Sequence, residues 1–199
     1  MTAPARVALL AYPEVDELDL FGAFAVLAKA SSVPDASTRL EIAIAADTTR
    51  VVGSAGTSFT VTADLSLVEK SDAVVVPGGR GAPAAAADAR LLAVLRAAGA
   101  RRAAFYGVCS GTLLIAAAGL ARDRRVAVHG AKRDLLSGYP VGEVTSGLVR
   151  DGRISTIGGE RRTSVKSVDL AFQLLADLVP DAVEAVAARM ELRPEPVGS

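Results

Sequence analysis

Gly107-Val108-Cys109-Ser110-Gly111 follows the apolar run RAAFYGV (Arg102 to Val108) and leads directly into TLLIAAAGL, which begins at Thr112. A short apolar strand, a turn framed by two glycines and a helical run make the pattern G-x-C-x-G, a nucleophile elbow. The flanking glycines let strand and helix pack closely around a strained residue, whose side chain then projects at the top of a sheet. Cys109 also stands at the start of the helix, where unsatisfied N–H groups and the macrodipole favour a thiolate. The alternative is a buried thiol acting as one more small hydrophobe, for which the glycine frame has no purpose.

Further strands of the same kind lie on either side. RVALLA runs from Arg6 to Ala11 and is followed by Tyr12-Pro13; LEIAIAA runs from Leu40 to Ala46 and AVVVP from Ala73 to Pro77. Such short, continuous apolar runs suit strands buried on both faces. Helical stretches alternate with them: Leu20 to Ala30 near the start, then about Val165 to Leu178 and Asp181 to Leu192, after two short strands around Asp151-Gly152. Alternation of this kind predicts right-handed crossovers, a mostly parallel sheet covered on both faces, and active residues at the carboxyl ends of strands. The stretch Thr49 to Thr62, with Gly53, Gly56 and alternating Val, Thr and Phe, predicts a small inserted β-hairpin. One domain over residues 1–199 is expected, with an ordered core at about 5–193 and Pro194 and Pro196 ending the fold.

Bulk properties narrow the function classes. An apolar fraction of 51% in 199 residues supplies one continuous core. Lys and Arg total 22 and so do Asp and Glu, which leaves no field to hold nucleic acid. No apolar run reaches the ~18 residues of a membrane span, and no signal peptide opens the chain, so a cytoplasmic protein is expected. A single Cys and a single His exclude an internal disulfide and a Cys/His zinc site. Neither a disulfide staple nor a structural metal is implied.

Three other places face the same sheet edge. Pro77-Gly78-Gly79-Arg80-Gly81 ends a strand, and its glycine-rich turn either aims backbone N–H groups at an anionic intermediate, with Gly79 the chosen donor, or is an ordinary tight turn. Asp19, in Glu17-Leu18-Asp19-Leu20 after the first strand, is placed to meet the sulfur. There desolvation would raise its pKa and let it hold a proton, unless it serves as a helix N-cap. Asp16 and Glu17 read as solvated. Ser110 adds its N–H or hydroxyl, or caps the helix. His129, after the short strand RVAV, is either a supporting or a structural residue.

These residues resemble the ThiJ/PfpI superfamily, with its flavodoxin-like fold akin to class I glutamine amidotransferases, and within it the isonitrile (cyclohexyl-isocyanide) hydratases. The resemblance is carried by Tyr12-Pro13-Glu14-Val15, Leu18-Asp19-Leu20, Gly22, Val76-Pro77-Gly78-Gly79, Gly81, Val108-Cys109-Ser110-Gly111, Ala117-Ala118-Gly119-Leu120 and His129. It implies a single-domain three-layer α/β/α sandwich and a homodimer. It also implies that Cys109 is the nucleophile, Asp19 the carboxyl beside it and Ser110 the residue where relatives often carry Thr. On a small-molecule substrate, and with no metal or organic cofactor, the thiolate would add to an isocyanide carbon and water would release an N-substituted formamide. Hydratases typically have Trp after the His, where this chain has Gly130, and the later turn Ile157-Gly158-Gly159-Glu160-Arg161-Arg162-Thr163 is more charged than in relatives. A glyoxalase- or amidase-type hydrolase and a redox-sensing cysteine protein remain alternatives. A transcription regulator is disfavoured, since such members append a helix-turn-helix domain and this chain stops at Ser199.

Overall fold

The computed structural model describes residues 3–33, 39–159 and 165–192. The charged turn Glu160-Arg161-Arg162 and the prolines Pro194 and Pro196 lie outside them. The continuous apolar runs become β1 (Ala5–Leu10), β2 (Leu40–Ala45), β5 (Ala73–Val76) and β6 (Ala104–Val108), and the two short strands around Asp151-Gly152 become β9 (Leu148–Asp151) and β10 (Ile154–Ile157). Their order is β2-β1-β5-β6-β10-β9, and every pairing is parallel except β9 with β10. Two-sided burial explains why these strands show no alternation: β5 is buried at all four positions.

The remaining strands are short. β3 (Arg50–Val52) pairs with β4 (Ser58–Thr60) as the inserted antiparallel hairpin, narrower than the stretch Thr49 to Thr62 that suggests it. β7 (Val126–Ala127) pairs in parallel with β8 (Val144–Thr145), a ladder too brief to leave a sequence signal.

Helices cover both faces of the sheet. α1 (Glu17–Ala30), α6 (Lys166–Leu178) and α7 (Val183–Met190) pack together on one side. α2 (Ser66–Lys70), α3 (Ala82–Ala85), α4 (Ala89–Ala100) and α5 (Gly111–Ala117) take the other. The result is a three-layer α/β/α sandwich. α1 starts at Glu17, three residues earlier than the apolar pattern begins, because Asp16 caps it by accepting from the Asp19 N–H at 3.0 Å. A 3₁₀ turn at Pro180–Ala182, where proline sets the first position, separates α6 from α7, so that the last helix starts at Val183 rather than Asp181.

After β1 the chain first moves outward to β2 and later returns to β5 on the other side of β1. This reversal of direction opens a crevice at the carboxyl ends of β1 and β5, the place where open α/β sheets bind ligands. The loops that follow β1, β5, β6 and β10 all end there.

Candidate active site

β6 delivers Cys109 into the crevice. Its φ of 55° lies in the left-handed region that a residue with a side chain rarely adopts, so the elbow is strained at the nucleophile itself. The Cys109 N–H donates to the Ile157 carbonyl at 2.8 Å, which fixes the turn to the end of β10. Gly111 is required for the helix to pack: a Cβ there would stand 1.9 Å from the Val76 carbonyl oxygen. The sulfur-bearing residue is 7% exposed, enough for access from the crevice only.

The turn after β5 meets it. Gly79 has φ 146° and any Cβ would strike the Glu14 carbonyl oxygen, so this position also requires glycine. Its N–H donates to Ser110 Oγ at 3.1 Å, and Ser110 Oγ donates back to the Gly79 carbonyl at 3.1 Å. The Gly79 amide chosen from sequence as an anion donor is therefore engaged by the serine. Ser110 holds the N-cap position of α5 without a side-chain capping bond.

Asp19 reaches the same point from α1. It is 3% exposed and accepts from the Gly78 N–H at 3.2 Å through Oδ2. It is not an N-cap, since Asp16 fills that place. Burial raises its pKa to about 6, against the opposing pull of the Lys166 ammonium. The loop that carries it is tied to the β5 turn: the Asp16 N–H donates to the Gly78 carbonyl at 2.8 Å, and the buried Tyr12 hydroxyl to the Pro77 carbonyl at 2.6 Å. Glu17 is not free in solvent. Its carboxylate accepts from the N–H groups of Ala55 and Thr57 and from Ser54 Oγ, clasping the tip of the hairpin.

Gly78 has no room for a side chain. A first side-chain carbon at this residue would lie 2.8 Å from Asp19 Oδ2, 2.9 Å from Cys109 Cβ and 2.9 Å from the Ser110 amide nitrogen. Glycine at this residue lets the Asp19 carboxyl, Cys109 and the Ser110 N–H, the usual oxyanion donor of an elbow, converge on the turn.

Two lysines, neither singled out by the sequence, complete the rim. Lys166 opens α6, and its Nζ lies 3.8 Å from Asp19 Oδ1. Its stem runs over Gly159, where a Cβ would come within 3.0 Å of Cδ. Burial lowers its pKa, but the Asp19 carboxylate and the Cys109 sulfur outweigh that and hold it above the ordinary lysine value. Lys132 Nζ donates to Ser110 Oγ at 3.0 Å. It comes from the 3₁₀ helix Gly130–Leu136, at whose start His129 Nδ1 accepts from the Ala131 N–H at 3.2 Å. Burial and then Lys166 and Lys132 depress the His129 pKa, so the imidazole is neutral and faces both ammonium groups. Thr112 Oγ1 donates to the Ala127 carbonyl at 2.7 Å and anchors that segment to the elbow helix.

Cys109, Asp19, Ser110, Gly78, Gly79, Gly159 and His129 thus share one end of the sheet. No group of three potential metal-ligating side chains occurs among the described residues, and no helix among them is long and apolar enough to cross a membrane.

The profile of the DJ-1/PfpI family matches residues 5–169. The isonitrile hydratase of Pseudomonas putida is 32% identical over 192 residues, spanning 96% of this chain and 80% of that protein. A ThiJ/PfpI family protein of Pseudomonas syringae superposes with a TM-score of 0.83 at 27% identity, covering 100% of this chain and 79% of the other. DJ-1beta of Drosophila melanogaster superposes with a TM-score of 0.80, covering 96% and 99%; at 18% identity this likeness concerns the fold.

Proposed function

The chain belongs to the DJ-1/PfpI family, and from that premise we propose that it hydrates an isocyanide to an N-substituted formamide with Cys109 as nucleophile. The observation that carries the reading is the convergence on Gly78, where Asp19 Oδ2, the Ser110 amide and Cys109 Cβ stand so close together that no side chain fits. The 32% identity to an isonitrile hydratase over nearly the whole chain supports the choice of substrate class.

The chemistry balances on these groups alone. The Cys109 thiolate attacks the terminal isocyanide carbon while Asp19, buried and with its pKa raised to about 6, gives that carbon its proton. A thioimidate bound to sulfur results, and Asp19 is left as a carboxylate. Water then adds to the same carbon: Asp19 takes a proton from it and passes it to nitrogen. The new hydroxyl returns a proton to Asp19 as the C–S bond breaks, releasing the formamide and regenerating both groups. The Ser110 N–H stabilises the oxygen as charge gathers on it.

The test is formamide production from cyclohexyl isocyanide, read by NMR. The wild type is expected to turn it over, and Asp19→Asn to lose about 10²–10⁴ in rate. Absence of formamide from the wild type overturns the reading, and conversion of methylglyoxal in its place would assign an aldehyde substrate. The proposed setting is cytoplasmic, where a lone thiol stays reduced.

A further inference from the structure

The charges at this edge balance whichever of two groups holds one proton. Lys132 and Lys166 bring two ammonium groups, and Asp16, Asp19 and Cys109 bring three acidic ones. Two negative charges answer two positive ones when either the Cys109 thiol or the Asp19 carboxyl is protonated, and moving the proton between them leaves the sum unchanged. Tyr12 and His129 add no charge: burial keeps the Tyr12 phenol protonated, with its hydroxyl on the Pro77 carbonyl at 2.6 Å, and the His129 imidazole is neutral. Asp16 is committed to capping α1, where its Oδ1 accepts from the Asp19 N–H at 3.0 Å, and Lys132 donates to Ser110 Oγ at 3.0 Å. Lys166 meets both holders of the proton: its Nζ lies 3.8 Å from Asp19 Oδ1 and hydrogen-bonds the Cys109 side chain.

The ammonium is fixed at that point by two anchors. The Ser167 hydroxyl donates to the Leu18 carbonyl at 2.8 Å; because Ser167 follows Lys166 and Leu18 precedes Asp19, this bond sets cation and carboxyl face to face. The Lys166 stem lies along Gly159, with Cδ and Cε 3.0 and 3.4 Å from where a Cβ would stand there. Asp19 turns its two oxygens to different partners: Oδ1 to the ammonium, and Oδ2 to the Gly78 N–H at 3.2 Å, on the side where Cys109 Cβ converges. We propose that Lys166 is a positioning residue for the reaction, the counter-ion that Cys109 and Asp19 share, which keeps the sulfur a thiolate while Asp19 holds the proton. This rests on the reading of Cys109 as the nucleophile and adds the group that activates it. Lys166 keeps its own protons throughout. When the proton passes from sulfur to the Asp19 carboxylate, the negative charge moves to sulfur beside the same ammonium, so the attraction to it is retained. With that cation gone, Lys132 is left to answer Asp16, both the sulfur and Asp19 hold protons, and a thiol is a poor nucleophile.

Two readouts separate this from the hydration chemistry. Alkylation of Cys109 by iodoacetamide, a neutral reagent, reports the thiolate without any isocyanide, and formamide release from cyclohexyl isocyanide reports turnover. Lys166→Met keeps a stem over Gly159 and removes the charge. It is expected to slow alkylation about tenfold at about pH 6 and to leave it within about twofold of the wild type at about pH 9, where an ordinary thiol ionises unaided. Formamide release at about pH 6 falls in step. Lys166→Gln, with a polar end but no charge, is expected to behave as Lys166→Met, and Lys166→Arg to recover most of both rates. Circular dichroism spectra of the variants are expected to match the wild type. Alkylation at the wild-type rate in Lys166→Met and Lys166→Gln at about pH 6, or a deficit of equal size at both pH values, overturns the proposal while leaving formamide production by the wild type intact. A wild type that releases no formamide, with the pH-dependent alkylation deficit present in Lys166→Met and reversed in Lys166→Arg, defeats the hydratase reading and upholds Lys166 as the shared counter-ion.

Discussion

Asp19 is held by one amide and one ammonium in a place otherwise closed to water, and this has a measurable consequence for stability. Its pKa in the folded protein, about 6, lies above the ordinary aspartate value of 3.8. The folded state therefore binds its proton more tightly than the unfolded state. The resulting stability is fully present below about pH 4 and is lost as pH rises through about 6. Asp19→Asn should accordingly stabilise the protein at pH 8 by about 1–2 kcal/mol, partly offset by the Lys166 ammonium left without its partner, and by much less at pH 4. Urea midpoints at the two pH values check this; equal shifts at both would contradict it. The same titration governs rate. kcat/KM for the isocyanide should fall on the alkaline side of about pH 6, as Asp19 loses its proton. Lys166→Met, which removes the cation that opposes the raised value, should move that limb upward; a limb that stays in place would separate Asp19 from proton transfer. Cys109 and Asp19 are legible in the sequence because each sits in a short local motif on a strand-to-helix turn. Lys132 and Lys166 are not, since nothing near them in sequence marks them. They meet only because Ser167 Oγ donates to the Leu18 carbonyl at 2.8 Å, locking α6 to α1, and because Thr112 anchors the segment before Lys132.

At the scale of elements, the elbow depends on how closely α5 approaches β5. Gly111→Ala places a carbon 1.9 Å from the Val76 carbonyl, with backbone on both sides of the clash, so helix and strand must separate. A loss of about 2–4 kcal/mol by chemical denaturation, together with slower alkylation of Cys109, is the expected outcome. Gly130→Ala meets nothing and should stay within about 0.5 kcal/mol of the wild type, which makes it the control. The clasp from Glu17 to the hairpin gives a second case. Glu17→Ala frees the amides of Ala55 and Thr57, so hydrogen exchange at the hairpin tip should quicken while the central strands keep their protection. Exchange unchanged at the tip would mean that β3 and β4 hold it unaided. Central strands were readable because burial on both faces writes a continuous apolar run. The pair β7–β8 and the helices α2 and α3 were not, being too short to show a period. Glu17 looked solvated because its partners lie 37 to 40 residues away, across a loop whose position no local pattern encodes.

For the molecule as a whole, the order of strands puts four loops at one edge, and the chemistry follows from that convergence. Parallel connection and two-sided burial were sufficient to anticipate the sandwich; the insertion of β10 between β6 and the edge strand β9 came from pairing that only the folded chain displays. On the outer surface, Leu18 and Val52 are 60% and 49% exposed, and the Glu17 clasp ties α1 to the hairpin that β3 opens. An apolar pair presented by two linked elements suits burial in a homodimer, so light scattering should give twice the chain mass and Leu18→Glu should reduce it to one. A monomeric wild type would rule that assembly out. The most direct test of Cys109 as the covalent centre is rapid-quench intact-protein mass spectrometry during turnover of cyclohexyl isocyanide. The expected result is a transient adduct of one isocyanide, mapped to Cys109 and absent from Cys109→Ala, which also releases no formamide. Formamide formed by Cys109→Ala at an undiminished rate would contradict it.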